Sequence, residues 1–369
     1  MIHVRRFLVV GGVAGIALVA GVAAGSSGPS DKPPAPRVAA TAAEPVHCDR
    51  VAAPSGSDRA EGTRARPFAS AARLVGSLHA GQTGCLRAGT YRIAPELKFR
   101  RAGTADAPIT LRSWPGERAT LEGGTVVVRP EATHVVVSGL RIDGSNHPDV
   151  TIWVLGDDAT LADNDITNRT TGLSCVFIGS GNWRKPPTLR TQIRRNRITD
   201  CGSDAHDDHD HGIYAAQSQD AVVADNLLTG SDGWGVQLYP HALGARVLRN
   251  TIARNGGGVI FAGNHSVASS GNVVERNVLS DPRDAMLVQS YWEGPSGTGN
   301  VARRNCFGRA ANGQSTGSGF SMDQNLIAAP AYRSAGDGNY ELGAQTGCSA
   351  VIGSPPDPGA PASVTRGPR

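Results

Sequence analysis

Lysine is almost missing from this chain. Its 369 residues contain three, Lys32, Lys98 and Lys185, so the positive charge of any folded region is carried by arginine. Aromatic residues amount to only 5%. Thirty-six basic residues against 32 acidic ones give a formal net charge of +4, which falls to +2 when Arg5 and Arg6 are discounted with the N-terminal segment. So small an excess does not supply the field that nucleic-acid or membrane-surface binding draws on. No two cysteines have the two-residue spacing of a zinc knuckle or a dithiol redox motif. No long helical pattern of apolar residues occurs after about residue 80.

What is present begins with an export signal. Arg5 and Arg6 precede an apolar stretch from Phe7 to Ala24 that closes on Val22-Ala23-Ala24, a small-residue cleavage site. Residues 1–24 are therefore a signal peptide, or a signal anchor if uncleaved, since the run approaches the length that spans a bilayer. Residues 25–46 are rich in Pro, Ala and Ser and have no periodicity, which describes a disordered linker. A folded domain is expected over 47–350 and a disordered tail over 351–369. This places the protein outside the cell or on its surface, as a monomer.

Six cysteines remain: Cys48, Cys85, Cys175, Cys201, Cys306 and Cys348. An even number in an exported chain argues for disulfides. Sequence alone leaves 15 pairings open. Sequential pairing, Cys48–Cys85, Cys175–Cys201 and Cys306–Cys348, is the expectation, because each such pair would clip adjacent layers of a repeat structure.

The repeat itself is plain. An asparagine, one variable residue and an aliphatic residue recur as Asn164-Asp165-Ile166, Asn196-Arg197-Ile198, Asn226-Leu227-Leu228, Asn250-Thr251-Ile252, Asn277-Val278-Leu279 and Asn325-Leu326-Ile327, with Asn305-Cys306-Phe307 as a looser copy. Successive asparagines lie 32, 30, 24, 27, 28 and 20 residues apart, and Gly139-Leu140-Arg141-Ile142 fits one period earlier. Short strands repeating at this interval, without the helical halves of leucine-rich or ankyrin repeats, define a solenoid of β-coils. Asparagine tolerates a left-handed bend, its amide reaches the equivalent amide one coil away, and the aliphatic residue points into the core. The fold class is all-β: a single right-handed parallel β-helix solenoid with an N-terminal capping helix. That helix is expected over 67–79, where Phe68, Ala71, Ala72, Val75, Leu78 and His79 fall on one face.

A second strand aligns within each period: Val176-Phe177-Ile178, Ile213-Tyr214-Ala215, Val236-Gln237-Leu238, Val259-Ile260-Phe261 and Met286-Leu287-Val288. Alternation makes Phe177, Tyr214, Gln237, Ile260 and Leu287 one outward column. Gly179, Ala216, Tyr239, Ala262 and Gln289 make the next.

The stretches GCLRAGTYRI, from Gly84, and GTADAPITLRSWPGERATLEG, from Gly103, resemble the opening coils of pectate-lyase-like β-helix proteins, most nearly the alginate lyase and chondroitinase B group. With the asparagine coils the resemblance covers roughly residues 80–330. It implies an extracellular polysaccharide as partner and a groove along one outer sheet as site. It does not fix the chemistry, since the scaffold carries lyases, hydrolases, epimerases and inactive relatives.

The candidate chemistry centres on DDHDHGIYAA, from Asp207, preceded by Asp204 and His206. A uronate lyase neutralises a carboxylate, removes the C5 proton and protonates the leaving oxygen. His211, Tyr214, Tyr239 and His209 are residue types that act as such bases and acids. Asp207, Asp208 and Asp210 are candidate ligands for Ca2+; transition-metal binding with His209 and His211, their ligand geometry unspecified, and a solvated acidic loop are the alternatives. Asp207-Asp208-His209-Asp210 also resembles the Asp-Pro-His-Asp signature of mannuronan C5-epimerases, with aspartate in the place of proline. Gln237, Trp234, His241, Asn264, Arg283, Asp284 and Gln289 are candidate substrate-binding residues, Trp234 either stacking on a sugar or capping a coil. The expected activity is β-elimination on a uronate-containing polysaccharide. The alternatives are a non-catalytic glycan- or cell-wall-binding β-helix, or a glycoside hydrolase or epimerase on the same scaffold. A hydrolase needs two carboxylates across the scissile bond, which Asp208 or Asp210 with Asp232 or Asp284 would supply.

Overall fold

A computed structural model describes residues 47–352, except Trp183, 204–208, His265, 291–293, Ala311 and 344–346. The export signal, the linker and nearly all of the expected tail lie outside the described residues, as do Asp207 and Asp208. The described chain is a right-handed parallel β-solenoid of about eight turns. Three long sheets run along it. Sheet I has eleven strands, from Arg50–Ala52 to Phe320–Asp323. Sheet II has ten, from Gly89–Arg92 to Leu326–Ile327. Sheet III runs from Glu96–Phe99 to Ser315–Thr316, with Thr188–Leu189 joined to its flank. Every pairing within these sheets is parallel, so each residue stands on its counterpart about 4.8 Å along the axis.

Stacking turns sequence periodicity into columns. Leu161, Ile193, Val223, Val247 and Val274 form one column of sheet I, and none is more than 1% exposed. Ile166, Ile198, Leu228, Ile252 and Leu279 do the same in sheet II. These are the aliphatic residues of the asparagine repeat. Phe99, Phe261 and Phe307 fill the wider parts of the same core.

The asparagines form the ladder that the sequence indicates, at the bend between sheets I and II. Each side-chain amide donates to the next carboxamide oxygen: Asn164 to Asn196 at 3.0 Å, Asn196 to Asn226 at 3.0 Å, Asn226 to Asn250 at 2.9 Å, and onward through Asn277 and Asn305 to Asn325. The same oxygen also accepts the backbone N–H of the preceding asparagine. One expectation is corrected. The left-handed residue is not asparagine but the one before it: Asp163 (φ 59°), Arg195 (52°), Asp225 (60°), Arg249 (51°), Arg276 (56°), Arg304 (52°) and Gln324 (50°). That residue turns the corner and leaves the asparagine side chain directed along the axis. A shorter ladder, Asn272 to Asn300 at 2.9 Å, stands at the start of sheet I and was not read from the sequence.

At several corners an aspartate and an arginine follow one another on successive coils, their side chains projecting outward. Arg195 grips Asp163 at 2.8 Å and 2.9 Å, Arg249 grips Asp225 at 2.6 Å and 2.7 Å, and Arg190 grips Asp158 at 2.7 Å through both oxygens. Like charges repeated every coil at one corner would repel, and forked guanidinium–carboxylate pairs remove that cost.

The capping helix is shorter than expected, Ala71–Ser77. It starts after Ser70, whose hydroxyl accepts the Arg73 N–H at 3.1 Å, while Asp58 accepts the Ala69 and Ser70 N–H groups at 2.9 Å. Phe68 stays outside because its backbone bridges Ala52. The buried residues Ala71, Leu74 and Val75 close the first coil. All three disulfides follow the sequential pairing, with Cα separations of 5.6 Å for Cys48–Cys85, 5.4 Å for Cys175–Cys201 and 5.2 Å for Cys306–Cys348. A short helix, Gly347–Ile352, carries the last cysteine and was not foreseen.

Candidate functional site

The outer surface of sheet III differs from that of sheets I and II in charge. From Thr125–Val128 to Val288–Ser290 its long-sheet strands contain no Asp, Glu, Lys or Arg. Its outward column reads Val127, Trp153, Phe177, Tyr214, Gln237, Ile260 and Gln289. The last member corrects the expected alignment. Val288-Gln289-Ser290, not Met286-Leu287-Val288, pairs with Val259-Ile260-Phe261. Leu287 is fully buried, having been drawn into the core just before the strand begins.

Tyr214 is the centre of this face. Its ring lies 4.7 Å from Phe177, 5.3 Å from His211, 5.9 Å from His209 and 6.3 Å from Tyr239, centroid to centroid. Four of the residues expected to carry chemistry, His209, His211, Tyr214 and Tyr239, are thus brought together. Phe177 meets Trp153 edge-on at 6.0 Å, and the Trp153 indole N–H donates to the Gly179 carbonyl at 2.9 Å. Trp153 and Phe177 were missed as site residues. The signal that would have found Trp153 was its place one coil before Phe177 in the aligned strands.

Burial separates the members. Tyr214 and Gln237 are each 5% exposed and His211 only 2%, whereas Tyr239 and His241 are half-buried and His209 is exposed. His211 Nδ1 accepts the backbone N–H of Trp234 at 3.0 Å, and its carbonyl accepts the Cys175 N–H at 3.0 Å. A ring so enclosed, with that nitrogen committed, sets the position of Tyr214 and Trp234 and is poorly placed to receive a proton from a substrate.

Trp234 is 5% exposed and packs with Ile260, Ala262 and Tyr239. Its ring lies directly over Gly257, where a Cβ would stand 2.3 Å from Cε3, so only glycine leaves room for it. Asp210 is 4% exposed, packs against Gly202 and accepts the Gly233 N–H at its carbonyl, 2.6 Å. It lies at the base of its loop. Among the described residues no three His, Cys, Asp or Glu side chains are disposed to share a metal ion. Cys175 and Cys201 bridge the two ends of the segment leading into this loop, which fixes its root beside Tyr214.

The remaining candidates are dispersed. Arg283 reaches back two coils to the Ser231 and Asp232 carbonyls and the Asp232 carboxylate, each at 3.0 Å, and so fastens a loop. Asp284 stands in solvent beside it, its side chain 80% exposed. Asn264 belongs to a small antiparallel hairpin, Gly263–Asn264 with Val267–Ala268, and not to a regular extension of its coil. Gln289 is half-buried in the main outward column, two coils beyond Gln237.

The architecture defines a class: right-handed parallel β-helix proteins. The match to the right handed beta helix region family spans residues 124–325, more than half of the sequence, and the chain belongs to that family. It is 39% identical over 75 residues to pectate lyase PEL9 of Emericella nidulans, covering 20% of this chain and 18% of that one. It is 30% identical over 126 residues to the Bacillus subtilis protein YwoF, covering 30% of this chain and 26% of that one. The chain thus spans less than a third of the curated relatives it matches. The crystal structure of pectate lyase Pel9A superposes with a TM-score of 0.57 at 14% identity, covering 82% of this chain and 91% of that one, which is a likeness of fold.

Proposed function

We propose that this protein is an exported polysaccharide lyase that cleaves a uronate-containing chain by β-elimination on the outer face of sheet III. The observation that carries the reading is the cluster around Tyr214, in which His209, His211, Tyr239 and Phe177 all lie within 6.3 Å, centroid to centroid, beside strands Ile213–Gln219 and Trp234–Leu243, which contain no Asp, Glu, Lys or Arg. The Trp153 and Phe177 rings offer apolar surface for sugar faces next to that cluster, and Gln237 offers an amide for a hydroxyl.

In this reading the half-buried Tyr239 and the exposed His209 do the proton work. One takes the C5 proton as the C4–O bond breaks. The other returns a proton to the departing glycosidic oxygen, leaving a C4–C5 double bond on the new end. Tyr214 orders the two, and His211 holds Tyr214. General acid–base groups of this kind contribute about 10²–10⁴ in rate. A cation at the 204–210 loop, Ca2+ if Asp207, Asp208 and Asp210 hold one, or an arginine would neutralise the uronate carboxylate.

A second reading has one specific observation in its favour. The described strands from Thr125 to Ser290 on sheet III offer no cationic side chain to a carboxylate. A non-catalytic binder of neutral glycan would need none. Incubation with pectate, alginate, other polyuronates and neutral glycans decides between them. New absorbance from unsaturated ends supports the lyase. Reducing ends without unsaturation indicate a hydrolase, and retention without any new ends indicates a binder.

A further inference from the structure

Several arginines in this molecule are spoken for: Arg190, Arg195, Arg249, Arg303 and Arg309 each hold a carboxylate from a neighbouring coil. Two arginines near each other on the outer face of sheet I do not. Among the described residues, Arg194 and Arg246 make no ion pair, and the Arg246 guanidinium makes no hydrogen bond. Arg194 stands in its column between Ala162 and Ala224, so no long side chain rises beside it on either adjacent coil. Gln192 braces it: the Gln192 carboxamide oxygen accepts both Nε at 3.0 Å and Nη2 at 2.6 Å. That bond spends one edge of the guanidinium, fixes its plane and leaves the Nη1–Nη2 edge facing outward from its brace.

The local charge is unbalanced. Arg194 feels Asp225, Arg249, Arg195 and Arg246. Asp225 is already gripped through both oxygens by Arg249, and Arg195 is likewise satisfied by Asp163. Four guanidiniums thus face two carboxylates, and the two left over are Arg194 and Arg246. Burial, together with the neighbouring arginines, pulls the Arg194 pKa below its ordinary value. An anion placed there would relieve both effects. Arg246 lies two coils along the axis, in the column of Gln192 and Val222, roughly 10 Å away by coil spacing.

We propose that Arg194, braced by Gln192, and Arg246 form an oxyanion-binding site on sheet I that holds a carboxylate or sulfate-ester group of an acidic polysaccharide. The polysaccharide identity of the ligand rests on the function proposed above. The site itself lies on a different sheet from the Tyr214 cluster and would anchor a chain without reacting with it. A planar fork is suited to bidentate recognition of either oxyanion, and the second arginine, two coils along, favours a polymer over a free ion.

Affinity electrophoresis and calorimetry on the full-length protein test this. The probes are polygalacturonate, dextran sulfate, uncharged dextran and inorganic sulfate. The variants are Arg194→Gln, Arg246→Gln, the double variant, and Arg309→Gln as a control, since Arg309 is an exposed arginine paired with Asp281 at another corner. The expected result is retention by an acidic polymer that weakens about tenfold in each single variant, is screened by salt, and is unchanged in Arg309→Gln. Preference for polygalacturonate assigns the group as carboxylate, and preference for dextran sulfate assigns it as sulfate. Undiminished retention of the double variant, equal retention by dextran, or inorganic sulfate binding as tightly as the polymers overturns the proposal. The double variant should keep the wild-type kcat on short oligosaccharides, and loss of kcat would also overturn it. If the wild type cleaves nothing, the lyase reading falls, while the binding difference still decides this one.

Discussion

Replacing Asn226 with alanine probes the ladder at its centre. The carboxamide oxygen of Asn226 accepts the Asn196 backbone N–H at 2.8 Å and the Asn196 amide at 3.0 Å, and its own amide donates to Ile193 O and to Asn250 Oδ1, each at 2.9 Å. Not all of these losses count equally. The Asn196 amide keeps bonds to Leu161 O and Arg194 O, and Asn250 Oδ1 keeps the backbone N–H of residue 226. One group is left in deficit where water has no access, the Asn196 N–H, in a residue 2% exposed; the Ile193 carbonyl keeps its place in the sheet ladder. A buried polar group left unsatisfied costs about 1–3 kcal/mol, so Asn226→Ala should lose about 2 kcal/mol. Asn325→Ala, at the half-buried end of the same ladder, exposes its orphaned partners to solvent and should lose about 1 kcal/mol. Urea unfolding with disulfides intact, followed by circular dichroism, reads the difference as a shift in midpoint at constant slope. If Asn226→Ala costs no more than Asn325→Ala, the ladder is an ornament of the bend and the argument is wrong.

Acid should destabilise the coils through Asp143. Burial works to raise the pKa of this carboxyl, but hydrogen bonds from Ser145 and the Arg169 guanidinium at 2.6 Å outweigh it and hold the value below the usual carboxylate range. Its stabilisation is therefore complete above the unfolded-state pKa of about 4 and is lost as pH falls through the lower folded value. Asp143→Asn should unfold more easily at pH 7 and show a shallower loss of stability below pH 4 in a pH series of thermal melts. Removing the Cys175–Cys201 bridge, which closes a separation of 26 residues, should cost about 3–4 kcal/mol by the chain-entropy estimate. Because the bridge roots the loop of His209 and His211, the double Cys→Ser variant should also lose turnover under conditions where circular dichroism shows it folded. Trp153→Ala should raise KM about tenfold with little change in kcat, since it removes sugar-facing surface remote from the proton transfers; a fall in kcat at constant KM would count against its assignment.

The fold was legible because a solenoid writes its period into the chain. One asparagine and one aliphatic residue recur at a fixed place, and parallel stacking leaves few other ways to pair them. Even so, the left-handed positions were misassigned. Aspartate, arginine and glutamine occupy them, and their tolerance of that conformation is enforced by the corner, which no local propensity shows. The slip at Leu287 has the same origin: both Leu287 and Gln289 satisfy an alternating pattern, and only the length of the preceding loop decides between them. For the site, sequence proximity placed His209, His211 and Tyr214 together correctly, and strand alignment brought in Tyr239. Nothing in the sequence signals that His211 would be buried with its Nδ1 held by the Trp234 backbone N–H, because burial of a polar ring depends on a backbone donor from the next coil. Nor did it show that Arg283 fastens a loop instead of facing the sheet III surface.

The central claim, that chemistry occurs on the outer face of sheet III at the Tyr214 cluster, is tested most directly by the initial rate at which Tyr239→Phe produces unsaturated uronate ends from a polymer that the wild type cleaves. The substitution removes one hydroxyl from a half-buried ring and leaves its packing against Trp234 and Tyr214 in place. The expected result is a fall of at least about 100-fold, with the unfolding transition unchanged. Turnover equal to the wild type would contradict it and move the reaction away from this face.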